Sequence, residues 1–126
     1  QIFLERAFEN QKIFVKGDGK EKLDFTYIDD FCEGIYKVIA NKKKSTKQIF
    51  NVTYGRAKSL IDIKKLIKQK FKYQEFTNLK RDKLMAMRGT LSINKARKLI
   101  NYKPQFDLVR GFKQYYTWYK DIYEKN

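Results

Sequence analysis

Lys22-Leu23-Asp24-Phe25-Thr26-Tyr27-Ile28-Asp29-Asp30-Phe31 carries the strongest local pattern in the chain. Leu23, Phe25 and Tyr27 alternate with Asp24, Thr26 and Ile28, a two-residue period that predicts a strand with one face more buried than the other. Two aspartates then interrupt the apolar pattern, and helical spacing begins at Phe31. Asp29 or Asp30 is placed to cap that helix by accepting orphan backbone N–H groups, and Asp30 with Glu33 has capping-box spacing. Just upstream, Gly17-Asp18-Gly19 supplies a turn whose outer positions are free to take positive φ.

Upstream of that turn, Phe3, Leu4, Ala7 and Phe8 recur at helical spacing, predicting a short helix over residues 2–9. Lys12 to Lys16 reads as a strand, with Ile13 and Val15 on one side and Phe14 on the other. Downstream, Phe31, Ile35, Val38 and Ile39 form one face of a helix ending near Ala40, followed by a basic surface loop over 41–45. Gln48 to Thr53 reads as a second strand, and Tyr54 to Lys58 as a loop centred on Gly55. Ser59 then caps a helix, with Asp62 at the capping-box position and Leu60, Ile63, Leu66, Ile67 and Phe71 on its buried face. A third strand is predicted over Tyr73 to Phe76, and a polar loop over 78–83. Asn94 is placed to cap a short helix carrying Ala96, Leu99 and Ile100. Asn101 suits the left-handed position that ends it, and Pro104 prevents continuation. Asp107 caps the last helix, in which Phe112, Tyr115, Tyr116, Tyr119 and Tyr123 repeat at three- and four-residue steps. Strands and helices alternate throughout, so the fold class is α/β, in one mixed domain spanning 1–126.

The 126 residues are enough for a single core, and a hydrophobic content of 42% with 16% aromatics argues against disorder. No run of about 18 apolar residues predicts a membrane span, and Glu5 interrupts the first apolar stretch, so no signal peptide is expected. The single cysteine, Cys32, has no internal partner, which fits a reducing, cytoplasmic compartment. The missing initiator methionine predicts a piece of a longer protein. Twenty-nine Lys+Arg against 14 Asp+Glu give a formal +15, which favours anionic partners. Lysines spread over helix faces favour a solvated surface over a polyanion groove, leaving a basic nucleic-acid-binding module as the alternative of another class.

The chain offers no metal site, having no His and one Cys. Gly17-Asp18-Gly19-Lys20 lacks the first glycine and the Ser/Thr of a phosphate loop, and no G-x-G-x-x-G follows a first strand. Tyr-x-x-x-Lys occurs at Tyr54…Lys58, interrupted by Gly55, and at Tyr116…Lys120, within an aromatic stripe of the core-facing kind. Neither is read as catalytic. Arg88 lies in the unpatterned stretch Met85-Ala86-Met87-Arg88-Gly89-Thr90 with no carboxylate nearby in sequence. That presentation suits bidentate phosphate binding, and a surface or salt-bridged arginine is the competing reading.

Three segments together resemble the NAD-dependent sugar-nucleotide epimerases and dehydratases, the extended short-chain dehydrogenase/reductase family. Gly17-Asp18-Gly19 followed by Asp24-Phe25-Thr26-Tyr27-Ile28-Asp29-Asp30 resembles the family's "GDG…RDFTYIDD". Ile49-Phe50-Asn51-Val52 followed by Ser59-Leu60 is similar to its "YNIG…SL". Arg88-Gly89-Thr90, Ser92 to Ala96, Leu99, Tyr102, Pro104, Leu108, Gly111 and Trp118-Tyr119 resemble its C-terminal pattern. The resemblance implies the C-terminal, substrate-binding part of a UDP-sugar 4-epimerase-like enzyme, or of a dehydratase of the same family. The Rossmann half, the NAD site and the catalytic tyrosine would then lie elsewhere, and the full-length enzyme would be a homodimer. Carried over by position, Arg88 is implied to bind the diphosphate, Asn51 and Ser59 to line the nucleotide site, and Phe14 to run beside the base. Leu23 stands where many members have a second phosphate-binding arginine, and Lys22 or Lys20 is the candidate substitute.

Overall fold

In the computed structural model, which describes all residues but Lys83, Met87 and Asn126, Ile13 and Val15 are buried and Phe14 and Lys16 exposed. That alternation defines strand β1 (Ile13–Lys16), which pairs in parallel with β4 (Phe76–Leu79) in the register Ile13↔Phe76 to Lys16↔Leu79. Helix α1 (Ile2–Phe8) precedes β1 and α4 (Leu60–Lys70) precedes β4. Ala7, Ile13 and Ile67 close a core beneath them, to which Phe3, Ile63, Phe71, Phe76 and Phe112 add partly buried surface. Phe112 comes from the last helix, α6 (Leu108–Tyr123). The aromatic stripe of α6 wraps Phe8, whose ring lies 5.0–5.8 Å from those of Tyr116, Tyr119 and Tyr123. Such spacing is that of favourable ring pairs.

A second core joins α2 (Ile28–Ala40), the segment around Phe50 and Val52, and α5 (Asn94–Ile100). Ile93, Ala96, Ile100 and Tyr102 are buried there, with Val38, Phe50, Val52 and Leu99 packed against them. Gly34 sets the approach of α2 to this core: a Cβ at that position would overlap the Val52 side chain. A second small ladder, β2 (Lys22–Leu23) with β3 (Lys58–Ser59), is antiparallel and pairs Lys22↔Ser59 and Leu23↔Lys58.

Local chemistry settles several element ends. Gly17 and Gly19 take φ of 81° and 78°. Asn101 closes α5 in the left-handed conformation (φ 54°, ψ 38°). Ser59 and Asp62 form a complete capping box at α4, and the Asp107 side chain accepts from the Arg110 N–H at 2.8 Å.

Elsewhere the structure departs from the sequence reading. The strand expected from residue 23 to 28 stops at Leu23, and residues 48–53 form no strand. Each segment lacks a longer ladder to join, and an unpaired strand is not stable alone. The strand expected over 73–76 begins only at Phe76, because the Gln74 N–H is used in a turn onto the Phe71 carbonyl at 3.1 Å. The expected 41–45 loop contains a short helix, α3 (Lys42–Ser45). Helix α2 starts at Ile28, with Tyr27 as N-cap and no side-chain cap bond. Asp30 is buried and spans outward to the Gln105 and Phe106 N–H groups (2.7 and 2.9 Å), and Glu33 pairs with Lys37. Asn94 is the first helical residue of α5 rather than its cap. The apolar face of α2 is open, with Phe31, Ile35 and Ile39 exposed by 44%, 44% and 70%.

Two stability outcomes follow from this packing. Gly34→Ala, which in an ordinary helix interior gains about 0.5–1 kcal/mol, is expected here to lose roughly 1–3 kcal/mol in urea unfolding through overpacking against the stiff Val52. Tyr102 is fully buried, its hydroxyl has no hydrogen-bond partner among the described residues, and burial, then the charges of Asp30 and Asp24, push its phenol up to about 12. The folded state therefore holds a proton that the unfolded chain releases near 10. The stability concerned is full below the unfolded value and is lost as pH rises through the folded one, by up to ~3 kcal/mol. Tyr102→Phe is expected to remove that alkaline loss while costing under about 1 kcal/mol at neutral pH, as read from urea midpoints across the alkaline range.

Candidate functional site

Asp24 leaves the β2 ladder and gathers two other segments. Its Oδ1 accepts the Gly55 N–H at 3.0 Å, and its Oδ2 accepts the Thr53 hydroxyl at 3.0 Å and the Leu91 N–H at 3.2 Å. Two further bonds run alongside: Ala57 N–H to Thr90 Oγ1 at 2.9 Å, and Asn51 Nδ2 to the Ser92 carbonyl at 2.9 Å. The opposite end of the 82–91 loop is held by Arg81, which donates to the Met85 and Ala86 carbonyls and pairs with the buried Glu21 at 3.4 Å. Arg88 and Gly89 are exposed, and among the described residues no atom beyond Gly89's chain neighbours lies within 4 Å of where its Cβ would stand.

Lys22 and Ser59 are Cα partners in the β2–β3 ladder, Asn51 is tied to the Ser92 carbonyl, and Arg88 lies three residues before Leu91, whose N–H Asp24 holds. Phe14 lies apart, on β1, with the Arg6 guanidinium 5.3 Å from its ring centre. The Ser59 hydroxyl is engaged within its own helix, accepting from Asp62 N at 3.2 Å and donating to Asp62 Oδ2 at 2.9 Å. Hydrogen bonds from the Ser59 backbone and hydroxyl hold the Asp62 carboxyl below its ordinary range. Asn51 likewise uses its amide on protein backbone. Sequence reasoning missed Asp24, which fell on the more polar face of the expected alternation and whose partners lie far along the chain.

Around Arg88 the balance of charge is positive. Arg56, Lys58 and Arg88 are exposed, and none of them forms an ion pair within 4.0 Å among the described residues. A groove of about 1000 Å³ is lined by Ile2, Phe25, Tyr27, Ile28, Phe112 and Trp118 among others. It adjoins the open face of α2 through Ile28. The residues present do not fit a dinucleotide. The strand-to-helix junctions at α2 and α4 have no glycine loop, and their first turns carry Asp29 and Asp30, and Asp62, where a pyrophosphate would need open N–H groups. Among the described residues no helix is long and apolar enough to cross a membrane.

Residues 1–53 match the NAD dependent epimerase/dehydratase family. The UDP-glucuronate 4-epimerase of Thermodesulfobacterium geofontis is 32% identical over 127 residues, covering 97% of this chain and 38% of that protein. Among solved structures, an epimerase of Methanothermobacter thermautotrophicus superposes with a TM-score of 0.90 at 24% identity, over 98% of this chain and 37% of its own. The UDP-glucuronic acid 4-epimerase of Bacillus cereus, in complex with UDP-glucuronic acid and NAD, superposes with a TM-score of 0.85 at 26% identity, over 94% of this chain and 38% of its own. The chain thus spans 38% of the curated relative's length, and the larger part of these proteins has no counterpart in it. By the match over residues 1–53 and the 32% identity, these 126 residues are similar in sequence to NAD-dependent epimerase/dehydratase proteins, and they share the α/β fold of the C-terminal portion of such proteins.

Proposed function

We propose that this chain is the nucleotide-sugar-binding portion of an NAD-dependent UDP-sugar 4-epimerase, with the cofactor and the catalytic groups held by a partner portion. The observation that carries this reading is the likeness, over 94% of the chain, to an epimerase in complex with UDP-glucuronic acid and NAD. The exposed Arg88, three residues before the Leu91 N–H that Asp24 holds, agrees with it. The open α2 face and the apolar groove support a catalytic portion packed against them, since apolar patches of this kind mark interaction surfaces.

The roles divide by what each side chain is free to do. Arg88 is exposed and offers a planar donor fork matched to phosphate oxygens. Lys22 adds a mobile charge from the neighbouring ladder, and Phe14 offers an exposed ring for a base to lie against. Asn51 and Ser59 act indirectly, the first by holding the Ser92 end of the Arg88 loop and the second by fixing the start of α4.

Calorimetric titration of the chain with UDP-glucuronic acid tests the reading. Binding is expected, Arg88→Ala is expected to weaken it at least about tenfold, as loss of a charge-assisted bidentate contact does, and no epimerised sugar is expected with NAD present. Ser59→Ala is expected to lower stability by about 1 kcal/mol and to leave the affinity within twofold of the unsubstituted chain. Tight oligonucleotide binding with no competition from UDP-glucuronic acid would replace this reading with a nucleic-acid-binding one. Turnover by the chain alone would overturn the division of labour.

A further inference from the structure

The positive charge of the chain is concentrated. No acidic residue stands between Glu33 and Asp62, nor between Asp82 and Asp107, and these two stretches carry 13 of the 29 cations. They fold against each other: Val38, Phe50 and Val52 of the first pack on the core of Ile93, Ala96, Ile100 and Tyr102 from the second. The carboxylates that reach this unit are already engaged, Asp24 and Asp30 by the donors described above and Glu33 by Lys37 at 3.3 Å. The densest cluster is on α3. Lys42, Lys43 and Lys44 fill one exposed turn, which Asn41 and Ser45 tie to α2 by donating to the Lys37 and Val38 carbonyls at 2.9 and 2.8 Å. The Gln48 N–H then folds back onto the Ser45 carbonyl at 3.0 Å, so Lys47 and the 86% exposed Ile49 follow directly on the lysine turn. On its other side α3 rests against α5, whose Lys95 ammonium lies 5.6 Å from the Phe50 ring centre. None of these five lysines forms an ion pair within 4.0 Å among the described residues.

Consecutive like charges held on one turn repel each other and raise the potential outside it, which draws an anionic surface. Ten of the 13 cations are lysines, hydrated point charges without the planar fork that grips a single phosphate. They suit a field of headgroups better than one bound group. Single-stranded nucleic acid is held by exposed rings on which bases stack, and Tyr36 is the one exposed aromatic of the two stretches among the described residues. Ile49 offers no stacking surface, but an exposed branched side chain beside lysines is suited to the headgroup boundary of a bilayer. Four lysines within residues 42–47 also reach the density that attracts anionic lipid. We infer that the α3 turn, with Lys47, Ile49 and Lys95, is a peripheral docking surface for an anionic lipid bilayer. The lysines meet the headgroups and Ile49 enters below them. The contact is made without crossing, since among the described residues no helix is long and apolar enough to span a membrane. This inference does not rest on the nucleotide-sugar reading.

Co-sedimentation of the 126-residue chain with lipid vesicles tests it. Binding is expected to phosphatidylcholine vesicles holding about one-third phosphatidylglycerol, but not to phosphatidylcholine alone, and is expected to fade as salt screens the charges. Lys42→Gln, Lys43→Gln and Lys44→Gln together are expected to weaken it at least about tenfold. Lys65→Gln, Lys68→Gln and Lys72→Gln, an equal loss of charge on and after α4, are expected to leave it within about threefold. All six lysines are exposed, and circular dichroism checks that both variants keep the fold. A polarity-sensitive fluorophore on Ile49→Cys, in a Cys32→Ser background, is expected to shift to the blue on the anionic vesicles. Equal effects of the two triple variants, no binding to the anionic vesicles, or a fluorophore that stays in water would each overturn the inference. An oligonucleotide that binds more tightly than the vesicles and depends on Lys42 to Lys44 would also overturn it, and would make this surface a nucleic-acid site.

Discussion

Three hydrogen-bond donors from two distant segments converge on the carboxylate of Asp24, and the arrangement of the candidate site depends on that convergence. A carboxylate offers about four lone-pair sites on two oxygens, so it can organise several backbone groups without a helix or sheet to hold them. Here it replaces regular structure. Residues 48–57 and 86–92 form no helix and no long ladder among the described residues, and their order comes from Asp24, Asn51 and Thr90. Asp30 does the same service on the other side of α2, accepting the N–H groups of Gln105 and Phe106 and so fixing the approach to α6. The two aspartates lie at either end of the Asp24-to-Asp30 segment, which therefore joins both cores of the molecule.

The second constraint is that neither core is closed on all sides. The ladders are two strands wide, and α2 turns Phe31, Ile35 and Ile39 outward. Two-stranded sheets are marginal alone and take their stability from what packs on them. In this chain helices α1, α4 and α6 cover the β1–β4 pair through Phe3, Ile63, Phe71 and Phe112, while Phe31, Ile35 and Ile39 of α2 stay exposed.

What could be read from the sequence was what depends on neighbours in the chain. The turn glycines Gly17 and Gly19, the left-handed Asn101, the Ser59–Asp62 box and the Asp107 cap each depend on a backbone conformation within a few residues, and each stands as expected. The alternation of Ile13, Phe14 and Val15 was legible for the same reason. Residues 48–53 had the composition of a strand but not the neighbour to pair with, and pairing cannot be seen in a single segment. Asp29 and Asp30 had the position of caps, yet Asp30 finds stronger donors 75 and 76 residues away. Of the site, Arg88 was visible as an unpatterned, unpaired cation. Asp24 was not, because its partners lie 29 to 67 residues along the chain.

The parallel pairing of β1 with β4 has a consequence for how the chain reaches this state. Ile13–Lys16 can meet its partner only after Phe76–Leu79 exists and has come back past α4, so a long loop must close before any ladder bond forms. During synthesis β1 is an apolar strand with both edges open, and open edges invite association with other chains. The charged residues at its ends, Lys12 and Lys16, and the twin glycines that end it, shorten the stretch that could pair wrongly. Closure of that loop is therefore the step the β1–β4 core waits on, and until it happens Ile13 and Val15 stay open to other chains.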